Sequence, residues 1–463
     1  MLIRNAEVGG RRCDVRIAHD TVVELDDGLE SAAGAEVFDA AGGALLPGLH
    51  DHHLHLNAWA AALRSVRCGP PQVKGRDGLI RALRGAHPRD GWVRGVGYHE
   101  SVAGALDRDV LDGIVPEFPV RVQQRSGALW SVNSAGAAAL GLDAGRHAPG
   151  VERDAGGRAT GRLFRLDGWL RERLPQTGRP DLSEVGCRLA ACGVTGVTDA
   201  TPGNGAAEFA AFGEALAKGE LSQRLVVMGT SALPEPPAGS GLARGAVKIV
   251  LDEARLPEFD TLVARVKGAH DGGRAVAVHC VTRAELVLAV AAFRLAGCRE
   301  GDRIEHASVA PPEVVEGVAS LPLTVVTQPN FVAERGDAYL ADVEPADRPW
   351  LYRCRGFAEA QVPLGGGTDA PFGDGDPWAA MRAAVERRSA GGQLLGPREA
   401  LAPERALALF TSRPEAPGGP PRRVAVGVRA DLCLLDAPWG QARRDLSAAR
   451  VRATWCGGVR ALA

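Results

Sequence analysis

Lysine is nearly absent from this 463-residue chain. It occurs only at 74, 218, 248 and 267, so arginine supplies the rest of the 54 basic residues and any lysine inside an apolar strand stands out. Long apolar runs are missing too. No stretch of about 18 or more uncharged apolar residues exists to cross a bilayer, and the start, MLIRNAEVGGRRCDVRIAHD, places charges where a signal peptide needs its apolar core. These absences predict a soluble, unexported, cytoplasmic protein. The nine cysteines are scattered and form no CxxC pair, as expected of structural thiols in a reducing compartment. Nor is there a large charge of either sign. A formal net charge of −2 argues against nucleic acid or an anionic membrane as the main partner and leaves a small-molecule substrate as the default. Homodimerisation stays open.

What is present is an alternation of short apolar runs with amphipathic stretches, the pattern of βα units around a parallel sheet or barrel. Candidate strands cover 44–56, 195–200, 224–230, 246–252, 275–281, 303–308, 323–329 and 362–370. Helical stretches at 206–219, 256–270 and 283–297 separate several of them. The expectation is an α/β fold, a (β/α)8 barrel spanning 44–419. Residues 57–190, with strand-like pieces at 92–99 and 119–126 and a Gly-Gly hairpin at 149–164, are expected to form a cap inserted into it. Residues 1–43 and 420–463 both alternate like strands and are each too short to bury a sheet face, so they are expected to pair in one small β-sandwich domain.

The chemistry concentrates at the ends of the candidate strands. In PGLHDHHLHL, His53 and His55 stand two apart, so on a strand both imidazoles point the same way; His50 and His52 fall on the opposite face. His279 and His306 end two later strands. Four imidazoles at the C-terminal ends of barrel strands are where active sites of this architecture gather. Asp369 follows GGGT at the end of the last strand. A helix N-cap is its ordinary role, but beside four imidazoles a carboxylate can hold a cation and accept a proton from water. Lys248, inside AVKIVL, is open to three readings: an ion-paired structural lysine, a Schiff-base lysine, and a lysine carboxylated by CO2 to bridge two metals. The clustered histidines favour the third. His99, Arg125 and Trp130 in the cap region are candidate substrate contacts.

With these motifs the chain resembles the amidohydrolase superfamily, and within it the YtcJ-like branch (amidohydrolase family 3) that includes N-substituted formamide deformylases. PGLHDHHLHL is similar to that branch's first metal strand. VNSAGAAALGL (132–142) is similar to its NS-A-L segment and GVERDAGGRATGRL to its Arg-Asp hairpin, while VKI, RIEHA, TQP and GTDAP are similar to its later strands. Carried over, the resemblance makes His53, His55, Lys248, His279, His306 and Asp369 the metal-site residues, with Lys248 as the carboxylated bridge. One departure is local: after His279 this chain has Cys-Val-Thr-Arg where the branch often has x-x-Gly-Asp. The implied activity is hydrolysis of an amide, formamide or cyclic amide using one or two divalent ions, Zn2+ foremost, with Asp369 as general base and acid. Two rivals are a mononuclear deaminase of an amino-substituted ring, with a structural Lys248, and a non-catalytic barrel scaffold.

Overall fold

The computed structural model describes residues 1–144, 148–175, 178–447 and 449–461. Two compact units divide the chain: Met1–Leu56 with Asp181–Ala463, and Asn57–Pro180.

The larger unit carries eight parallel strands in chain order: β1 (Leu49–Leu54), β2 (Val194–Asp199), β3 (Arg224–Gly229), β4 (Leu242–Val250), β5 (Val276–Cys280), β6 (Arg303–His306), β7 (Thr324–Thr327) and β8 (Leu364–Gly366). Helices fill the crossovers, among them Ala206–Ala217, Phe259–Asp271 and Arg283–Ala296. Such strands are buried on both faces, which is why they read as continuous apolar runs. The ring closes where β8 meets β1: the Asp369 amide donates to His53 O at 2.8 Å and the His55 amide to Ala370 O at 2.8 Å. Gly367 permits that approach, because a Cβ there would sit 2.5 Å from His53 Cβ and 2.8 Å from its backbone nitrogen. The (β/α)8 expectation is met.

The run at 44–56, expected as one barrel strand, is two. Leu45–Pro47 pairs antiparallel with Leu432–Leu435 in a separate sheet, and the barrel begins only at Leu49. The handover falls at Gly48, where a Cβ would lie 2.2 Å from the Thr195 side chain; the backbone there runs too close to β2 for any larger residue. That separate sheet adds Val451–Cys456 and Val459–Arg460, while Leu2–Val8, Arg11–Ala18, Thr21–Asp26 and Val37–Asp39 form a second one. Ile3, Val15 and Val22 from the N-terminal sheet share one buried cluster with Leu45, Leu432 and Trp455 from the other.

The smaller unit is built on a mixed sheet in which Val66–Arg67, Val93–Tyr98 and Val120–Gln124 run parallel and Leu129–Val132, Ala159–Phe164 and Val151–Arg153 continue antiparallel. It ends at Pro180 rather than 190, since the helix Ser183–Ala191 belongs to the larger unit. Asn133 of the NS-A-L segment has a structural task. Its Oδ1 accepts from the Val120 and Gly136 amides, capping the helix Ser134–Leu140, and its Nδ2 donates to Val115 O and Phe118 O at 2.8 Å.

Candidate metal centre

Strand alternation sends His53 inward at the end of β1, and His55 follows on the same side; their ring centroids are 5.4 Å apart. His50 and His52 face the other way, bonded to Thr198 Oγ1 at 2.9 Å and Ser412 Oγ at 3.0 Å. His306 reaches the same place from β6, its ring 4.7 Å from His53 and 4.4 Å from His279, which ends β5. His53, His306 and Asp369 each offer a donor atom within 4.8 Å of the others. Asp369 Oδ1 lies 3.2 Å from His55 Nε2 and 3.6 Å from His53 Nε2. Buried as it is, this oxygen makes no aligned hydrogen bond. Asp369, His306 and Ala307 hold φ of 58°, 68° and 47°, the left-handed region that non-glycine residues adopt less often.

The outward nitrogens of His53, His55 and His306 are bonded. His53 Nδ1 bonds Glu305 Oε2 at 2.5 Å, His55 Nδ1 bonds Thr201 Oγ1 at 2.8 Å, and His306 Nδ1 bonds Gln328 Oε1 at 2.6 Å. Polar partners on one ring nitrogen orient the other toward a shared ion, as around bound metals generally. Sequence reasoning missed all three partners. Glu305 had a signal, a second charged residue two positions after Arg303 within a barrel strand, and Gln328 stood in the TQP segment named for the resemblance without a role; Thr201, an ordinary polar residue at a strand end, had none.

Lys248 is buried on β4, with Nζ 3.7 Å from Glu305 Oε1 and no hydrogen-bond partner. Glu305 also receives Arg303 Nε at 2.6 Å. Burial brings the Lys248 ammonium down to about 8, which makes the neutral amine accessible near neutral pH. Burial likewise pushes His306 down to about 3 and lowers His53 and His279, so the rings are neutral, the form that binds cations. For Asp369 burial alone would raise the carboxyl, but the contact with His55 and the nearby His53 and His306 hold it below the usual carboxylate range. Glu305 is held low against its own burial by Arg303, Lys248 and His53. Neutral imidazoles, an ionised carboxylate with an unused buried oxygen and an amine without a hydrogen bond form a donor set that fits a divalent cation of the zinc type.

The departure after His279 is accommodated locally. Thr282 caps the helix Arg283–Ala296, and Glu285 Oε2 accepts from the Val281 and Thr282 amides. A groove of about 910 Å³, lined by Phe259, Val281, Val287, Tyr339 and Tyr352 among others, includes none of the six expected metal-site residues. The three cap candidates lie in the smaller unit. His99 caps the helix Glu100–Ala103, the Arg125 amide donates to Tyr98 O at 2.8 Å, and Trp130 is buried with its Nε1 on Asp167 at 2.9 Å.

Residues 36–461 match the amidohydrolase family. This chain belongs to that family. It is 27% identical to the N-substituted formamide deformylase of Arthrobacter pascens, over 93% of this chain and 90% of that one. It is 23% identical to the putative amidohydrolase YtcJ of Bacillus subtilis (strain 168), over 75% and 74% of the two. Among solved structures, an uncharacterized metal-dependent hydrolase from Pyrococcus horikoshii OT3 superposes with a TM-score of 0.75 at 21% identity, covering 94% of this chain and 97% of that one, a likeness of fold.

Proposed function

We propose that this chain hydrolyses a carbon–nitrogen bond of a small molecule, an amide, formamide or cyclic amide, with His53, His55, His279, His306, Asp369 and a carboxylated Lys248 as the residues that would hold one or two divalent ions. The observation that carries the reading is Asp369 Oδ1, buried without an aligned hydrogen bond beside two Nε2 atoms whose rings are anchored on their far side. When bound, a zinc-type ion supplies Lewis-acid polarisation of the scissile carbonyl and lowers the pKa of water from about 15.7 toward roughly 7. Asp369, kept ionised by its neighbours, accepts the proton of the attacking water at its carboxylate and delivers it to the leaving nitrogen. Glu305, Thr201 and Gln328 hold the imidazoles in place meanwhile. The name of the Arthrobacter relative makes N-substituted formamides the first compounds to assay.

Metal analysis of purified protein, followed by assays on N-acyl amines, formamides and cyclic amides, tests this reading. Asp369→Asn is expected to retain metal and lose roughly 100-fold or more in kcat; wild-type turnover in that variant overturns the role. A second reading is favoured by the Lys248–Glu305 ion pair, which suits a structural lysine and a mononuclear site. A carboxylated lysine, and two ions per chain where found, select the first; one ion with a free lysine selects the second.

A further inference from the structure

The smaller unit contains two guanidiniums that form no ion pair among the described residues. Arg94 and Arg121 are register partners on the adjacent parallel strands Val93–Tyr98 and Val120–Gln124, so their side chains leave the sheet on one face. Each places its Cζ 5.3 Å from the centroid of Trp130, and Arg121 stands 5.9 Å from Trp92 as well. Arg94 Nη1 donates to Ser65 Oγ at 2.6 Å, whereas Arg121 Nε is buried with no partner at all. Asp167 is the one acid whose charge reaches both, and it is engaged by Trp130 Nε1 at 2.9 Å. Among the described residues no carboxylate comes within ion-pair distance of either arginine.

Like charges on neighbouring strands, each half-buried, are costly, and attraction to an aromatic face offsets only part of that cost. Burial brings both groups down to about 10, with the Arg121 charge adding to the effect on Arg94. Two half-buried forks that leave one sheet face from register partners are what a planar or tetrahedral oxyanion engages through paired N–H donors. We propose that Arg94 and Arg121 form an anion-binding site in the smaller unit, taking the carboxylate or phosphoryl group of a small-molecule ligand. The proposal is independent of the reaction assigned to the histidine cluster.

Thermal unfolding and titration calorimetry on the full-length protein test it, with benzoate and inorganic phosphate each compared with chloride at matched ionic strength. At least one oxyanion is expected to raise Tm saturably beyond chloride; a benzoate response identifies a carboxylate ligand and a phosphate response a phosphoryl one. Arg121→Met is expected to be as stable as the parent or more so without anion, since it removes an uncompensated charge, and to lose the response. Arg121→Lys keeps the charge without the fork and is expected to weaken anion binding about tenfold or more. The proposal is overturned if neither oxyanion exceeds chloride, if Arg121→Met lowers Tm while the response survives, or, should Arg121→Met not fold, if Arg121→Lys binds as the parent does.

Discussion

Glu305 shows how much one side chain carries at the residue scale. Fully buried, it touches Arg303, Lys248 and His53 at 2.6, 3.7 and 2.5 Å. Glu305→Gln keeps the shape and removes the charge, so Arg303 loses its buried counter-ion. Such breakage costs roughly 3–5 kcal/mol, readable in urea unfolding, and release of the His53 ring is expected to weaken metal binding about 10–100-fold. The histidines also set a pH dependence in chelated protein. His306 at about 3 and the lowered His53 and His279 lie below the ordinary unfolded value of about 6.5, so the unfolded chain takes up protons first as pH drops. Stability from these rings is whole above about pH 6.5 and is lost as pH falls toward 3. Tm of the metal-free protein is therefore expected to decline steadily below about pH 6.5, and a flat profile would refute the assignment of neutral rings.

At the scale of elements, the closure between β8 and β1 is the vulnerable seam. Gly367→Ala drives a methyl against the backbone of His53. Overpacking of this kind costs typically about 1–3 kcal/mol, and a displaced His53 is expected to carry metal occupancy down with it, checked by metal content at equal protein. This seam also explains what was legible beforehand. Apolar runs between amphipathic stretches announced all eight barrel strands, and simple alternation announced His53 and His55. Alternation fails at Glu305 and His306, neighbours that both serve the centre because His306 adopts φ of 68°, a turn that no spacing rule reports. Leu45–Pro47 was absorbed into the barrel strand because Gly48 interrupts neither apolar character nor strand propensity; only its proximity to Thr195 ends the first strand.

For the whole molecule, two units with their own buried clusters, Leu79, Val93 and Val120 in one and Ile3, Leu432 and Trp455 in the other, predict calorimetric unfolding that departs from a single two-state transition. Chelation is expected to lower only the transition of the larger unit, since the residues proposed as ligands all belong to it; a parallel drop in both would contradict that assignment. The pairing of Leu45–Pro47 with Leu432–Leu435 also has a bearing on synthesis. The segment leading directly into His53 finds its partner strand only when nearly the entire polypeptide has left the ribosome, and domains fold as units during translation. Nascent chains stalled before Leu432 therefore lack the partner of Leu45–Pro47, while β1 itself can already pair with β2 and β8, so the strand entering the barrel is secured from its N-terminal side only late in synthesis.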